Sequence, residues 1–167
     1  MKAIFSIYIL ALGALIGIEL SLGALVAPTI FYPQSLIGEG VLSHFQSGQM
    51  MSAIFVKYNA ILMPFSIICL IFEMVNFNNN KSQPFNLKFS TLMLALINLI
   101  LATLFVLYFT EFILDAQKLG EAGTQTADFA QIHKASEWCA KLMIIAQTVL
   151  FFLKMVPNLH IGRGDEI

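Results

Sequence analysis

Six ionisable side chains carry the ligand chemistry of this sequence: carboxylates, amines and one imidazole. They are Glu19, Lys57, Glu111, His133, Glu137 and Lys141. Carboxylates and an imidazole together can bind a divalent metal, and carboxylates mixed with amines can hold a small polar ligand or an ion. No catalytic motif and no tight metal-ligand spacing accompanies these residues. We therefore predict that the protein is not an enzyme and has no resident cofactor or metal.

Glu19 stands out because it lies inside a long apolar run that covers residues 3–30. A run of this length can cross a bilayer, which needs about 20 apolar residues in a helix. A charge at the centre of the hydrocarbon costs about 2.5–3.5 kcal/mol or more, so a carboxylate there needs a partner or a function.

The elements that must position these residues are four apolar runs, at about 3–30, 53–75, 87–112 and 135–156. The 167 residues are 58% hydrophobic and only 11% charged, whereas soluble domains have about 45–50% and about 25%. In lipid the backbone must satisfy its own hydrogen bonds, so these runs are helices. We predict an all-α, integral membrane four-helix bundle that forms one domain over residues 1–167. The net charge of −1 excludes a nucleic-acid partner.

Four spans place both chain termini on one side of the membrane, and the positive charges indicate which side. Five positive residues lie on the side of the termini, and two lie in the opposite connections: Lys2, Lys81, Lys88, Lys154 and Arg163 against Lys118 and Lys134. The positive-inside rule then predicts that the N- and C-termini are cytoplasmic. In this orientation the six ionisable residues gather in the outer leaflet. Glu19 has Lys57 and Lys141 as candidate ion-pair partners, and His133 lies at the mouth of the cluster.

The spacing of polar residues predicts which helix faces are buried. Asn59, Ser66 and Glu73 recur every seven residues and form one stripe toward the bundle interior. Lys154 lies near the inner end of the fourth helix, where its long side chain can snorkel to water. Thr126 resembles a helix start, which places the beginning of the fourth helix ahead of its apolar run.

Small residues on the first helix predict close helix contact. Gly13, Gly17 and Ser21 are spaced four apart, a pattern that lets a second helix approach closely. Besides the lipid bilayer, the partner that this stripe predicts is a second copy of the chain, in a homo-oligomer.

The polar cluster of six residues has two interpretations. It consists either of ion pairs that fix helix register, or of an outward-facing site for a small ligand or ion in a binding or transport-related protein. A structural or assembly subunit of a membrane complex is an alternative function. A b-type haem protein is a further alternative, but haem needs histidine ligands, and His44 and His133 lie outside the apolar runs.

Short motifs resemble a known family. Phe129, His133 and Ser136 form a Phe-x3-His-x2-Ser motif, and residues 23–31 form a Gly-containing helix end that leads to a Phe. With Phe55 and Tyr58, the aromatic start of the second helix, these features resemble the domain-of-unknown-function family 4149, bacterial relatives of transmembrane-protein-205-like proteins. Members often carry an Asn four residues after the motif Ser, where this chain has Ala140. The resemblance implies four helices, membrane residence and no established activity. We predict that the protein is a multi-pass protein of a bacterial cytoplasmic (inner) membrane.

Overall fold

The computed structural model describes residues 2–81 and 83–161, and all regular secondary structure in this part of the chain is helical. Arg163, which contributed to the charge comparison, lies outside the described residues. The helices are α1 (Lys2–Ser21), α2 (Ala27–Phe31), α3 (Gln34–Ile37), α4 (His44–Asn79), α5 (Phe85–Leu104), α6 (Glu111–Lys118), α7 (Glu121–Thr124) and α8 (Ala127–Ile161). Two short π-helical segments, Leu22–Val26 and Phe105–Thr110, join α1 to α2 and α5 to α6.

In the described part of the chain, four helical stretches are long and apolar enough to cross a membrane. They are the first span (Ala3–Phe31), the second span (His44–Asn79), the third span (Phe85–Lys118) and the fourth span (Ala127–Met155). Helix α4 packs against α5, α5 against α8, α8 against α1, and α2 against α4, so the spans form a ring in chain order. The all-α membrane four-helix bundle predicted from the sequence is confirmed.

The ring has two ends that differ in their connections. The distal end carries the connection between the first and second spans and the connection between the third and fourth. The terminal end carries the connection at residues 80–84, together with the start of α1 and the end of α8. A residue's depth in the bundle is described below by the end to which it is nearer.

The second and fourth spans begin well before their apolar runs because side chains cap them in the connecting loops. The Ser43 Oγ accepts a hydrogen bond from the Gln46 backbone N–H at 3.1 Å, and the Gln46 side chain accepts one from the Ser43 N–H at 2.9 Å. This reciprocal pair is a capping box, which satisfies two otherwise unpaired donors. At α8, the Thr126 Oγ1 accepts from the Phe129 N–H at 3.1 Å, which confirms the helix start predicted there. The predicted start of the second helix at 53 is therefore wrong, and the fourth helix begins ahead of its apolar run at 135, as predicted.

Both π-helical segments lie toward the distal end. The Ala27 N–H donates to the Leu22 carbonyl, five residues back, in place of the usual four. In the third span the Thr110 hydroxyl donates at 2.8 Å to the Phe105 carbonyl, also five back. π-helical turns inside long helices occur frequently at functional sites. Both of these segments form part of the same pocket wall, described in the next section.

The interior of the bundle contains the predicted polar stripe. Asn59, Ser66 and Glu73 are all buried, as the seven-residue spacing predicted. The Asn59 Nδ2 donates to the Thr110 Oγ1 at 2.9 Å, which ties the second span to the third at the π-helical segment. The stripe therefore contributes a contact between helices at the level of the pocket.

Part of the predicted contact surface of small residues packs against another helix of the same chain. A Cβ at Gly13 would lie 3.3 Å from the Phe151 ring, so Gly13 allows α1 and α8 to approach closely. At Gly17 a Cβ would meet nothing within 4 Å. Self-association through Gly13, Gly17 and Ser21 stays a prediction, and of these three residues Gly17 and Ser21 are exposed.

Candidate functional site

A pocket of about 510 Å³ opens at the distal end, and all four spans contribute to its wall. Most of the lining is apolar, and seven of the side chains are aromatic: Phe31, Phe45, Phe55, Tyr58, Phe105, Phe109 and Phe129. The polar lining includes Glu19, Ser52 and Gln117. The Gln117 Nε2 donates to the Ser52 Oγ at 2.9 Å, which joins α6 to α4 across the wall.

Glu19 contributes a buried carboxyl group to this wall, with only 6% of its surface exposed. Its Oε1 accepts two hydrogen bonds, one from the Tyr58 hydroxyl and one from the Gln147 Nε2 at 3.0 Å. Its Oε2 is buried and has no hydrogen-bond partner among the described residues, and the same holds for the Gln147 Oε1. Both atoms therefore lack the hydrogen-bond partner that most buried polar atoms in proteins have.

The predicted ligand-binding residues divide into two groups. Glu19, His133, Glu137 and Lys141 line the pocket. Lys57 and Glu111 are exposed and do not belong to its lining. The structure thus brings four of the six residues to one pocket. Whether these residues bind a ligand stays a prediction.

The predicted ion pair between Glu19 and a lysine is wrong. No cationic nitrogen of the described residues lies within 4.0 Å of the Glu19 carboxylate. Lys57 is exposed on the outside of α4. The Lys141 Nζ lies 3.6 Å from the Glu137 Oε2 on its own helix and 5.1 Å from the centre of the Trp138 ring. Because these local partners are within one helical turn, Lys141 does not need to reach across the bundle.

The four-residue spacing on α8 produces a short ladder at the mouth of the pocket. Besides its contact with Lys141, Glu137 has its Oε1 3.5 Å from the His133 Nε2. The His133 ring stacks on the Phe129 ring with centroids 5.8 Å apart. The ladder consists of His133, Glu137 and Lys141, and each side chain is about half exposed. This rim of the pocket is therefore accessible to solvent, whereas Glu19 is buried.

Two residues that position Glu19, Tyr58 and Gln147, were missed as site residues. Tyr58 had been noticed only as part of the aromatic start of the second helix. Gln147 lies seven residues before Lys154, so both residues occupy one face of α8. The seven-residue spacing of Gln147 and Lys154 within an apolar helix is the sequence pattern that indicates a buried polar face here.

A second buried carboxylate lies near the terminal end and has a cation of its own. The Lys154 Nζ is 3.0 Å from the Glu73 Oε2, and the side chains are 2% and 0% exposed. The prediction that Lys154 snorkels to water is therefore wrong, because Glu73 of the opposite helix in the ring offers a buried counter-charge. The chain thus compensates Glu73 with a cation and leaves Glu19 with neutral donors.

A metal centre finds no support in the described part of the chain, which has no cluster of three or more His, Cys, Asp or Glu that could hold an ion. Cys69 and Cys139 are both buried and unpaired by any disulfide. The Cys69 Sγ lies 3.1 Å from the Tyr8 hydroxyl, in the terminal half of the bundle.

The family model described as "Domain of unknown function (DUF4149)" matches residues 10–122 of the chain. The chain belongs to this family. No curated protein and no solved structure matches it. The matched range contains Glu19 and Tyr58, whereas Gln147 and the Phe129, His133 and Ser136 motif lie beyond it. The likeness to transmembrane-protein-205-like proteins stays a prediction.

Proposed function

We propose that this protein binds a small organic molecule in the distal pocket and takes part in its binding or transport across the membrane without catalysing a reaction. The observation that carries the proposal is a 510 Å³ pocket with aromatic walls and a buried carboxylate. Ligand pockets are typically about 300–1,000 Å³, mostly apolar, with a few polar groups that fix orientation. The distal pocket has each of these properties.

The size and lining of the pocket favour an organic ligand over a bare inorganic ion. A bound metal ion needs several oxygen or nitrogen ligands at short distances. Here the buried wall offers one carboxylate, and the remaining ionisable groups sit at the exposed rim. We also propose that the protein resides in a bacterial cytoplasmic membrane with both termini inside, so that the pocket opens outward. A structural or assembly role in a membrane complex is the alternative.

Photolabelling tests the proposal in lipid nanodiscs with a neutral probe, an aryl trifluoromethyl diazirine that carries a benzyl alcohol. We expect labelling of the pocket-lining peptides that saturates with probe concentration, while labelling of lipid-facing peptides rises without saturation. Gly23→Phe narrows the pocket and should remove the saturable component, because Gly23 belongs to the lining.

Gly17→Phe is the matched control for this experiment. A Cβ at either glycine meets nothing within 4 Å, yet Gly17 is absent from the pocket lining. Both variants gain similar helix propensity, so a difference in saturable labelling between them results from the change in the pocket. If wild-type labelling does not saturate, or if the two variants lose it equally, the protein does not bind ligands in this pocket. Stoichiometric co-purification of a second protein would then favour the assembly role.

A further inference from the structure

We propose that the ligand of the distal pocket is an organic monocation with an N–H donor, a protonated amine on an aromatic or alkyl body. This inference rests on the proposed function and specifies the chemical class of its ligand. It starts from a comparison of the two buried carboxylates in the bundle. Glu73 has the Lys154 ammonium at 3.0 Å, whereas Glu19 has no cation among the described residues within 4.0 Å.

The fourth helix presents the partners of both carboxylates from one face. Gln147 and Lys154 are seven residues apart, which is close to two turns of helix. Lys154 gives Glu73 an ammonium, and Gln147 gives Glu19 only a neutral amide at 3.0 Å. The position that would supply a counter-ion to Glu19 is therefore occupied by a residue without charge. A ligand can supply that charge instead.

The unpaired oxygen of Glu19 indicates the polar group of the ligand. The Glu19 Oε2 is a buried acceptor without a donor among the described residues, and Glu19 belongs to the pocket lining. A buried acceptor that stays unpaired costs free energy, so the complementary group carries N–H bonds. A protonated amine offers up to three donors and a positive charge, and a carboxylate bonds such a group more strongly than a neutral one.

The walls match the rest of such a ligand. Phe55, Phe105 and Phe109 lie in the lining with Tyr58, and aromatic faces attract cations that come within about 6 Å of a ring. The Lys141 ammonium at the rim is held by Glu137 and Trp138 and does not neutralise Glu19. The buried part of the pocket therefore combines aromatic rings with one carboxyl group that has no cation among the described residues within 4.0 Å.

Competition against the photolabelling described above tests the inference with three compounds of similar shape. They are phenethylamine, which is protonated at neutral pH, its uncharged isostere propylbenzene, and the anion hydrocinnamate. At equal free aqueous concentration we expect phenethylamine to compete at least about tenfold better than propylbenzene, because the ion pair forms in a low-dielectric pocket. Hydrocinnamate should be the weakest of the three.

Two variants remove the preference by opposite means. Glu19→Gln removes the negative charge and keeps a hydrogen-bond acceptor for Tyr58. Gln147→Lys adds a built-in cation beside Glu19, as Lys154 does beside Glu73. In both variants phenethylamine should compete no better than propylbenzene, because a cation without a counter-charge is costly to bury, while propylbenzene still competes. If Glu19 had a purely structural role, its replacement by Gln would not remove the preference of the pocket for phenethylamine over propylbenzene.

Several results would overturn the inference. If propylbenzene competes as well as phenethylamine in the wild type, the pocket binds organic ligands but does not select a cation. If hydrocinnamate competes best, the rim lysine and histidines select an anion. A charge preference that persists in Glu19→Gln places the selecting group elsewhere. Absence of saturable labelling in the wild type refutes the proposed function itself. If a variant does not fold, the competition of the three compounds in the wild type still tests whether the pocket selects a cation.

Discussion

Breaking the buried pair between Glu73 and Lys154 should destabilise the bundle more than any exposed pair does. The side chains are 0% and 2% exposed, and the Nζ to Oε2 distance is 3.0 Å. Replacing one partner leaves the other charge buried and unpaired, which costs about 3–5 kcal/mol. For a domain of this length about 1 kcal/mol lowers Tm by about 2–4 °C, so Lys154→Met should lower Tm by about 6–20 °C.

The double variant Glu73→Gln with Lys154→Met separates a lost attraction from an uncompensated charge. It removes both charges, and so it should recover most of the Tm lost in Lys154→Met. The assay is the temperature at which the monodisperse peak disappears in size-exclusion chromatography of the detergent-solubilised protein.

Lys118→Met is the matched control for this cycle. The Lys118 Nζ lies 2.7 Å from the Asp115 Oδ1, closer than in the buried pair, but both side chains are about 70% exposed. Solvent screens such pairs, so Lys118→Met should leave Tm unchanged within error. The reasoning is refuted if Lys154→Met behaves like Lys118→Met, or if the Tm of the double variant falls as far as that of Lys154→Met alone.

Two further predictions concern the start of α4 and the residues outside the pocket. Ser43→Ala removes half of the capping box with Gln46, and the change should cost about 1 kcal/mol of unfolding free energy in chemical denaturation; an unchanged midpoint would mean that the cap contributes nothing. Lys57→Gln and Glu111→Gln alter exposed residues that do not line the pocket, so the saturable photolabelling should match the wild type. A loss in either variant would show that the site extends beyond the lining described above.

The four spans could be predicted from the sequence because the signal is local. Each apolar run has to match the thickness of the hydrocarbon, and no knowledge of its neighbours is required. The helix ends were predicted less well. The second span begins at His44 because of the capping box formed by Ser43 and Gln46. These polar residues precede the apolar run, so hydrophobicity alone does not indicate this helix start. Helix α8 likewise continues through Pro157 to Ile161, beyond the predicted end at 156.

The burial of the polar stripe was also predictable, whereas the partners that polar groups find on other helices were not. The seven-residue spacing of Asn59, Ser66 and Glu73 correctly placed them inside, because helical periodicity alone determines which residues share a face. The sequence likewise gathered Glu19, His133, Glu137 and Lys141 near one end, where all four line the pocket. Within one helix, the contacts of Glu137 followed from spacing alone.

The partners of the two buried carboxylates were decided only by the tertiary structure. Glu19 is bonded to Gln147 across 128 positions of sequence, and Glu73 to Lys154 across 81. Which side chains meet at such distances depends on how each helix is rotated in the ring, and packing of all four spans sets that rotation. The sequence by itself thus determined a carboxylate in a membrane span. Only the packing gave the cation to Glu73 and left Glu19 facing a pocket with neutral donors.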